Sequence, residues 1–219
     1  MKKTNIFGVY KDKKNLFTVN PKKCKGLKVY NEKHVKYKGK EFRSWNPYRS
    51  KLSAAILNGL DFNIKADFKV LYLGAATGTT VSHISDILDE GIIFSVEKSP
   101  IATKKLLVLS EKRTNIIPIL EDAYHPDRFS VVTPQVDLIY QDISQRNQAE
   151  IFILNVNRYL KKKSTGILMV KARSVDVSLK PEKAYEQVCL KLKDNGLKIK
   201  EKIDLNPYEK DHTAIIIST

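Results

Sequence analysis

The chain has 219 residues, 42% of them hydrophobic, which is enough to bury the core of one α/β domain with a small appendage, or of two small domains. Lys and Arg number 39 against 24 Asp and Glu, a net charge of +15, which favours a polyanionic partner such as RNA, although a lysine-rich solvated surface gives the same composition. Cys24 and Cys189 are far apart in unrelated contexts, which disfavours a zinc site and a disulfide scaffold and fits a reduced intracellular setting. The lack of a long apolar segment predicts a cytoplasmic protein with neither signal peptide nor membrane span.

Residues 1–45 differ in pattern from the rest of the chain. Apolar and polar residues alternate in NIFGVY, NLFTV and GLKVY, and lysine-rich turns separate these segments. A period of two is typical of strands with one buried face. The sequence therefore predicts a small N-terminal β-sheet domain with a basic surface at residues 1–45, followed by a second domain at residues 46–219.

Asn46-Pro47 has the composition of a helix start, with Asn as the N-cap and Pro in the first turn. The apolar residues that follow recur at helical spacing: Leu52, Ile56, Leu57 and Leu60. Lys51 lies at the edge of this stripe, where most lysines only extend into solvent.

From residue 66 onward, apolar segments of strand length alternate with amphipathic helical patterns. The predicted strands are KVLYLG, GIIFSVE, NIIPILED, VDLIYQD and TGILMVKA. Ser99-Pro100 and Pro181 mark two of the helix starts between or after them. Strands that are apolar throughout predict a parallel sheet with helices on both faces.

The last two predicted strands, LKIKEKIDL and HTAIIIST, are separated only by NPYEKD. No helix fits in this gap, so the final strand must run antiparallel to its neighbour. A mainly parallel, Rossmann-like sheet that finishes with an antiparallel strand is typical of class I S-adenosylmethionine-dependent methyltransferases. We therefore predict that α/β fold, preceded by the small β domain.

The turn after the first of these strands is VLYLGAATGTT, residues 70–80. Gly74 and Gly78 allow the backbone to approach a ligand, but the G-x-x-x-G pattern alone is a weak signal, because many α/β turns contain glycines for steric reasons. Glu97 ends the next strand, 23 residues after Gly74. This is near the spacing of about 20 residues at which a carboxylate binds ribose hydroxyls; the alternative is an ordinary surface acid.

Four successive strands end at Gly74, Glu97, Asp122 and Asp142. Ligands of open α/β sheets bind at the carboxyl ends of the strands. The chain has no P-loop lysine and no tighter glycine run, so the set favours an adenosine group without phosphates. With the predicted fold, this indicates S-adenosylmethionine as the cofactor.

A candidate catalytic cluster lies at the same edge. Lys171 follows the fifth strand, and His212 begins the antiparallel last strand, whose start lies beside the ends of the others. Lys51 and Asp142 complete the cluster. A lysine whose pKa is lowered by burial and a nearby cation can accept the proton of a ribose hydroxyl during methyl transfer, with the aspartate orienting it. The alternatives are solvated lysines and a structural histidine.

Several strings in the chain resemble the fibrillarin family in its short archaeal form. They are RSWNPYRSKLSAAI, LYLGAATGTTVSHISDI, NIIPILEDA and NPYEKDHTAIII, and the resemblance extends over almost the whole chain. It implies a 2′-O-methyltransferase that modifies rRNA, and in archaea tRNA, within box C/D guide ribonucleoproteins. The implied partners are the guide RNA, the target RNA, a Nop-type scaffold protein and a kink-turn-binding ribosomal-type protein.

The resemblance also implies roles for individual residues. The catalytic tetrad of the family falls on Lys51, Asp142, Lys171 and His212. The implied cofactor-binding positions are Gly74, Ala75, Ala76, Gly78, Thr79, Thr80, Glu97, Lys98, Asp122, Ala123, Asp142 and Gln145. Three positions depart from the family pattern. Lys98 replaces an aromatic residue that stacks on adenine, Tyr124 replaces an arginine, and Gln141 replaces a small residue.

Two other interpretations remain at this point. An NAD-dependent oxidoreductase is disfavoured by the missing G-x-G-x-x-G motif and by the final pair of strands. A non-catalytic RNA-binding or scaffold protein that kept the fold is disfavoured by the presence of all four tetrad residues.

Overall fold

Five antiparallel strands form the N-terminal sheet of the computed structural model, which describes all 219 residues. They are β1 Lys2–Lys3, β2 Val9–Asp12, β3 Asn15–Val19, β4 His34–Tyr37 and β5 Lys40–Trp45, in the spatial order β1-β2-β3-β5-β4. The segment GLKVY, expected as a strand, forms none. The backbone N–H groups of Val29 and Tyr30 donate to the Glu32 carboxylate and therefore are not available to a neighbouring strand.

Seven strands form the second sheet. They are β6 Lys69–Leu73, β7 Ile92–Glu97, β8 Ile116–Leu120, β9 Val136–Gln141, β10 Leu160–Lys171, β11 Lys198–Asp204 and β12 His212–Ser218, in the order β11-β12-β10-β9-β6-β7-β8. The five strands β6 to β10 all run parallel to one another. The last strand, β12, is antiparallel to both of its neighbours, β10 and β11. The predicted antiparallel last strand is thus confirmed.

Six α-helices accompany the sheets. They are α1 Lys51–Leu57, α2 Thr79–Ile87, α3 Pro100–Lys112, α4 Gln148–Tyr159, α5 Ala172–Val175 and α6 Pro181–Asp194. The helix starts predicted at Pro100 and Pro181 are confirmed, and the Ser99 hydroxyl caps α3. None of the helices combines the length and apolar character needed to cross a bilayer.

The start of α1 differs from the prediction. Its N-cap is Ser50, not Asn46, and the Asn46 side chain instead accepts a hydrogen bond from the backbone of Tyr48. The Ser50 hydroxyl also accepts a hydrogen bond from the Trp45 indole at 2.9 Å. Because Trp45 ends β5, this contact ties the first turn of α1, and Lys51 within it, to the N-terminal sheet.

Two hydrophobic layers cover the second sheet. Residues of α1, α2, α3 and the N-terminal sheet pack on one face, and residues of α4 and α6 pack on the other. Val9, Leu16 and Trp45 of the N-terminal sheet share one continuous core with Val81 and Ile84 of α2. The core therefore continues across residue 45, and the division of the chain into two domains there stays a prediction.

A buried ionic cluster joins the N-terminal sheet to α2 and to the end of α3. The Asp86 carboxylate, on α2, accepts hydrogen bonds from Arg43 of β5 at 2.7 Å and from Arg113, which follows α3. Arg43 also pairs with Glu32 at 2.7 Å, and none of these four side chains is accessible to solvent. Charges buried in this way are tolerated only when each has its partner in good geometry.

We predict that Asp86→Ala strongly destabilises the fold. The substitution leaves the guanidinium groups of Arg43 and Arg113 without their shared carboxylate, and removing one partner from a buried ion pair typically costs about 3–5 kcal/mol. Urea denaturation at pH 7 measures the loss. Asp89→Ala removes the same charge from an exposed position three residues away and serves as the control. Equal stability of the two variants would contradict the prediction.

Candidate active site

The turn after β6 brings the ends of several strands close together. Gly74 has a φ of 82°, and a Cβ at this position would lie 2.5 Å from the carbonyl oxygen of Asp142. Gly78 has a φ of 90°, and a Cβ there would lie 2.5 Å from a methyl group of Leu109 on α3. Only glycine fits at both positions, so they are required for the packing of β6 against the end of β9 and of α2 against α3.

Glu97 is anchored at both of its carboxylate oxygens. Oε2 accepts a hydrogen bond from the backbone N–H of Ala76 in the glycine turn, and Oε1 accepts one from the N–H of Ser99 at the start of α3, both at 2.8 Å. Each carboxylate oxygen has a further lone pair. The side chain is therefore held rigidly and can still accept hydrogen bonds from ligand hydroxyls.

A cavity of about 340 Å³ opens at the carboxyl edge of the sheet, a size suited to a small molecule. It is lined by Gly74, Ala76, Val96, Glu97, Lys98, Glu121, Asp122, Ala123, Asp142, Ile143, Ser144 and Gln145. Eight of the predicted cofactor positions thus lie on one cavity wall. A groove of about 610 Å³, between the first strands and the end of α1, contains none of them.

Four predicted cofactor positions lie outside this lining: Ala75, Gly78, Thr79 and Thr80. Ala75 is buried in the core. The buried Thr80 hydroxyl donates to the Ser50 hydroxyl at 2.9 Å and so connects the first turns of α1 and α2. Participation of these residues in cofactor binding stays a prediction.

Sequence reasoning missed four lining residues: Val96, Glu121, Ile143 and Ser144. Each is adjacent in sequence to a predicted position, and only Glu121, a carboxylate next to a strand end, has a side-chain type that by itself suggests ligand binding. The signal that could have found them is the parallel sheet, since residues flanking a strand end share its edge.

Three of the four predicted catalytic residues, Asp142, Lys171 and His212, continue one face of the sheet. Three strand residues on this face belong to the core beneath α1 and α2: Tyr140, Met169 and Ala214. Asp142 lies two residues after Tyr140, and Lys171 lies two residues after Met169. His212 lies two residues before Ala214 on a strand that runs antiparallel. Because strand side chains alternate with a period of two, all three predicted residues continue that face.

Lys51 and Asp142 are in direct contact. The Lys51 Nζ lies 2.7 Å from Asp142 Oδ1, with the two side chains 18% and 20% exposed. The backbone N–H of Asp142 donates to the Leu73 carbonyl at 2.9 Å. The ion pair therefore connects the first turn of α1 to the end of β9, directly beside the glycine turn.

His212 lies close enough to this ion pair to respond to its charges. Its Nδ1 lies 2.7 Å from the carbonyl oxygen of Lys210, so Nδ1–H donates there and Nε2 is the lone-pair nitrogen. Burial lowers the pKa of His212 below its ordinary value, and Lys51 adds to this effect, against the opposing influence of the Lys210 hydrogen bond. His212 is accordingly neutral at pH 7.

Lys171 is held by its backbone. It pairs with His212 across the β10–β12 ladder, whereas on the other side the pairing with β9 stops at Gln141. The buried Gln148 side chain occupies the position beyond, accepting from the Lys171 N–H at 3.2 Å and donating to its carbonyl at 3.4 Å. The Lys171 side chain makes no hydrogen bond or ion pair with another residue.

Two tyrosines form the floor below the Lys51–Asp142 pair. Tyr72 and Tyr140 lie side by side on β6 and β9, with ring centres 4.7 Å apart. Burial, reinforced by the negative charge of Asp142, raises the pKa of both hydroxyls well above the ordinary value. Both remain neutral and separate the charged edge from the apolar core.

Comparison with known proteins decides the family. The fibrillarin family model matches residues 1–219. The chain belongs to the fibrillarin family.

A fibrillarin-like rRNA/tRNA 2′-O-methyltransferase from Methanothermobacter thermautotrophicus is 44% identical over 96% of this chain and 93% of its own. Fibrillarin from Aeropyrum pernix, solved with natively bound S-adenosyl-L-methionine, is 39% identical with a TM-score of 0.84, over 93% of this chain and 88% of that one. The fibrillarin of a fibrillarin/Nop5p complex is 45% identical with a TM-score of 0.88, over 97% and 98% of the two chains. The predicted fold and family are confirmed.

The three departures from the fibrillarin pattern lie at or near the cavity. Lys98 lines it and is exposed, and Tyr124 is also exposed, with its ring packed on that of His125. Gln141 is fully buried and donates from its amide to the Gln148 carbonyl at 2.6 Å. The larger residue thus holds the first turn of α4, whose Gln148 side chain contacts the Lys171 backbone.

We predict that Lys51→Met raises the pKa of His212. The substitution removes a nearby positive charge and leaves Asp142 unpaired, and both changes favour the imidazolium form. NMR titration of the His212 ring measures the pKa, with Lys65→Met, at an exposed position, as the control. A pKa that stays the same in Lys51→Met would show that the two side chains do not interact.

The same shift makes stability depend on pH. The pKa of His212 is lower in the folded chain, so the unfolded chain binds the proton more readily. The contribution of this residue to the free energy of unfolding is therefore present above about pH 6.5 and is lost as the pH falls through the folded pKa.

Proposed function

We propose that this protein is the S-adenosylmethionine-dependent methyltransferase that modifies ribose 2′-hydroxyls of rRNA and tRNA as the catalytic subunit of a box C/D guide ribonucleoprotein. The observation that carries the proposal is that Asp142, which pairs with Lys51 at 2.7 Å, also lines the cavity that Glu97 and Asp122 line. Lys171 and His212, paired across β10 and β12, continue the same face of the sheet. The names of the archaeal relatives and the cofactor bound to the Aeropyrum pernix protein support it.

The residues of the cavity fit the cofactor. Gly74 lets the end of β6 lie directly against the Asp142 backbone, and both residues line the cavity. Glu97, anchored through Ala76 and Ser99, would accept hydrogen bonds from the two ribose hydroxyls, and Asp122 would accept one from the adenine amino group. When bound, S-adenosylmethionine supplies a methyl group on a positively charged sulfur.

The catalytic residues of the chain position and deprotonate the RNA hydroxyl. Lys171, whose side chain has no partner in the protein, accepts the proton of the 2′-hydroxyl as general base when its amine is neutral. Asp142 holds Lys51 and places negative charge next to the cationic reaction centre. Neutral His212 accepts a hydrogen bond at Nε2 and so orients a hydroxyl or a lysine. Most of the rate enhancement comes from the alignment of the reacting atoms that this rigid edge provides.

Site selection belongs to the assembly. We infer that a Nop-type scaffold protein binds this chain, since its relative forms a complex with Nop5p. A guide RNA selects the target nucleotide, and a kink-turn-binding protein of ribosomal type holds that RNA. The assembly acts in the cytoplasm. Within this subunit, residues 1–45 form a small β domain whose core is continuous with that of residues 46–219.

The first prediction of this proposal concerns the cofactor. Calorimetric titration is expected to show binding of S-adenosylmethionine and none of NAD. Glu97→Gln weakens the affinity for S-adenosylmethionine about tenfold or more, because the amide replaces one acceptor by a donor opposite the ribose hydroxyls. Glu90→Gln, at an exposed position, leaves it unchanged. Binding of NAD in place of S-adenosylmethionine would favour the oxidoreductase.

The second concerns the base. In the assembled ribonucleoprotein, Lys171→Ala lowers the single-turnover rate of methyl transfer to RNA by about 10²–10⁴, the usual contribution of general base catalysis. Affinity for S-adenosylmethionine persists. Lys180→Ala, an exposed lysine at the start of α6, retains the rate. Full activity of the Lys171→Ala assembly would refute the role of this lysine, and no activity with any variant or wild type would favour the non-catalytic scaffold.

A further inference from the structure

Most of the net positive charge of the chain lies in residues 1–45, which form the N-terminal sheet and its turns. Residues 1–45 contain fourteen Lys and Arg against three Asp and Glu, a net charge of +11 out of the +15 of the whole protein. All thirteen lysines are exposed, whereas the one arginine, Arg43, is buried and paired with Glu32 and Asp86. The excess charge is therefore a property of the surface of this sheet.

The two faces of the sheet have different surroundings. Directly paired residues of adjacent strands share a face. Val9, Leu16 and Trp45 define the inner face, which packs against α2. The paired residues Tyr10 and Phe17, and likewise Val35 and Phe42, define the outer face, which packs against neither α2 nor the second sheet.

The outer face carries one aromatic residue on each of four strands: Tyr10 on β2, Phe17 on β3, Phe42 on β5 and Tyr37 on β4. The Phe42 ring contacts both tyrosines edge to face, with centroids 5.0 Å from Tyr10 and 6.3 Å from Tyr37. Phe17 and Phe42 are buried, whereas Tyr37 is 38% exposed and Tyr10 half-buried. The tyrosines are thus presented to solvent on a rigid aromatic base.

Lysines surround these rings. Lys38, in the β4–β5 turn, places its Nζ 5.5 Å from the centre of the Tyr37 ring. Lys40 pairs with Tyr37, and Lys3 pairs with Tyr10, so both project from the outer face at its two sides. This arrangement suits single-stranded nucleic acid, because its bases can stack on the exposed rings while its phosphates contact the lysines.

We propose that this outer face binds single-stranded RNA, with Tyr37 and Tyr10 stacking on bases and Lys3, Lys38 and Lys40 neutralising phosphates. An acidic protein would use the charge but has no need of the rings, whereas nucleobases use both. The proposal rests on the proposed function for its ligand class, since the RNA held here is guide or target RNA outside the duplex delivered to Lys171.

Fluorescence anisotropy with a short labelled single-stranded RNA, titrated over a range of salt concentrations, tests the proposal on the full chain. Tyr37→Ala is expected to weaken binding about tenfold through lost stacking, while Tyr37→Trp keeps the affinity. Replacing Lys3, Lys38 and Lys40 together by Gln lowers the slope of log affinity against log salt by about 2, since each contact with a single strand contributes about 0.7. Lys193, Lys200 and Lys202, exposed on α6 and β11, replaced together by Gln, remove the same charge elsewhere and leave the slope unchanged.

Equal losses in the two triple variants would overturn the proposal, because binding would then depend on total charge alone. Unchanged affinity in a Tyr37→Ala variant that keeps the wild-type circular dichroism spectrum would also overturn it. Titration of each variant with S-adenosylmethionine separates this proposal from the proposed function. A wild-type chain that does not bind that cofactor contradicts the function, whereas the RNA titrations bear on the outer face alone.

Discussion

The Asp86 carboxylate, shared by two buried arginines, is the contact on which the geometry of the whole molecule depends. Arg43 is on the last strand of the N-terminal sheet, Asp86 on α2, and Arg113 at the end of α3. Because a buried charge without its partner is very unfavourable, only one placement of the small sheet on the helices satisfies all three. Trp45 and Ser50 then carry that placement into the first turn of α1. The position of Lys51 opposite Asp142 is thus determined by contacts far from the site.

At the carboxyl edge of the second sheet, contacts to the backbone hold the remaining site residues in place. Gly74 allows the end of β6 to lie against Asp142, and Glu97 connects the glycine turn to α3. Gln148 replaces the missing strand neighbour of Lys171. Each functional side chain therefore extends from backbone that is held on both sides. Such rigidity is what a reaction controlled by the alignment of its reactants requires.

Charge is distributed according to these roles. Below the site, Tyr72 and Tyr140 remain neutral because burial raises the pKa of each, and His212 is neutral because burial lowers its pKa. Among the predicted catalytic residues, only Lys51 and Asp142 form an ion pair. The large positive excess lies on the N-terminal sheet, where a polyanion can be held without disturbing the balance of charges around the reacting atoms.

The sequence by itself was sufficient for much of the fold and the site. Uniformly apolar strands, helix-start residues such as Ser99 and the short final connection are local signals, and they correctly predicted the parallel sheet and its antiparallel last strand. The strand ends at Glu97, Asp122 and Asp142 could be predicted to meet because parallel strands share an edge. Tertiary structure alone decided that Ser50 and not Asn46 caps α1. It also decided that Gln148 supports Lys171, and that residues 43, 86 and 113 share one buried cluster. These contacts join positions distant in the chain, and side-chain hydrogen bonds between distant positions leave no periodicity in a sequence.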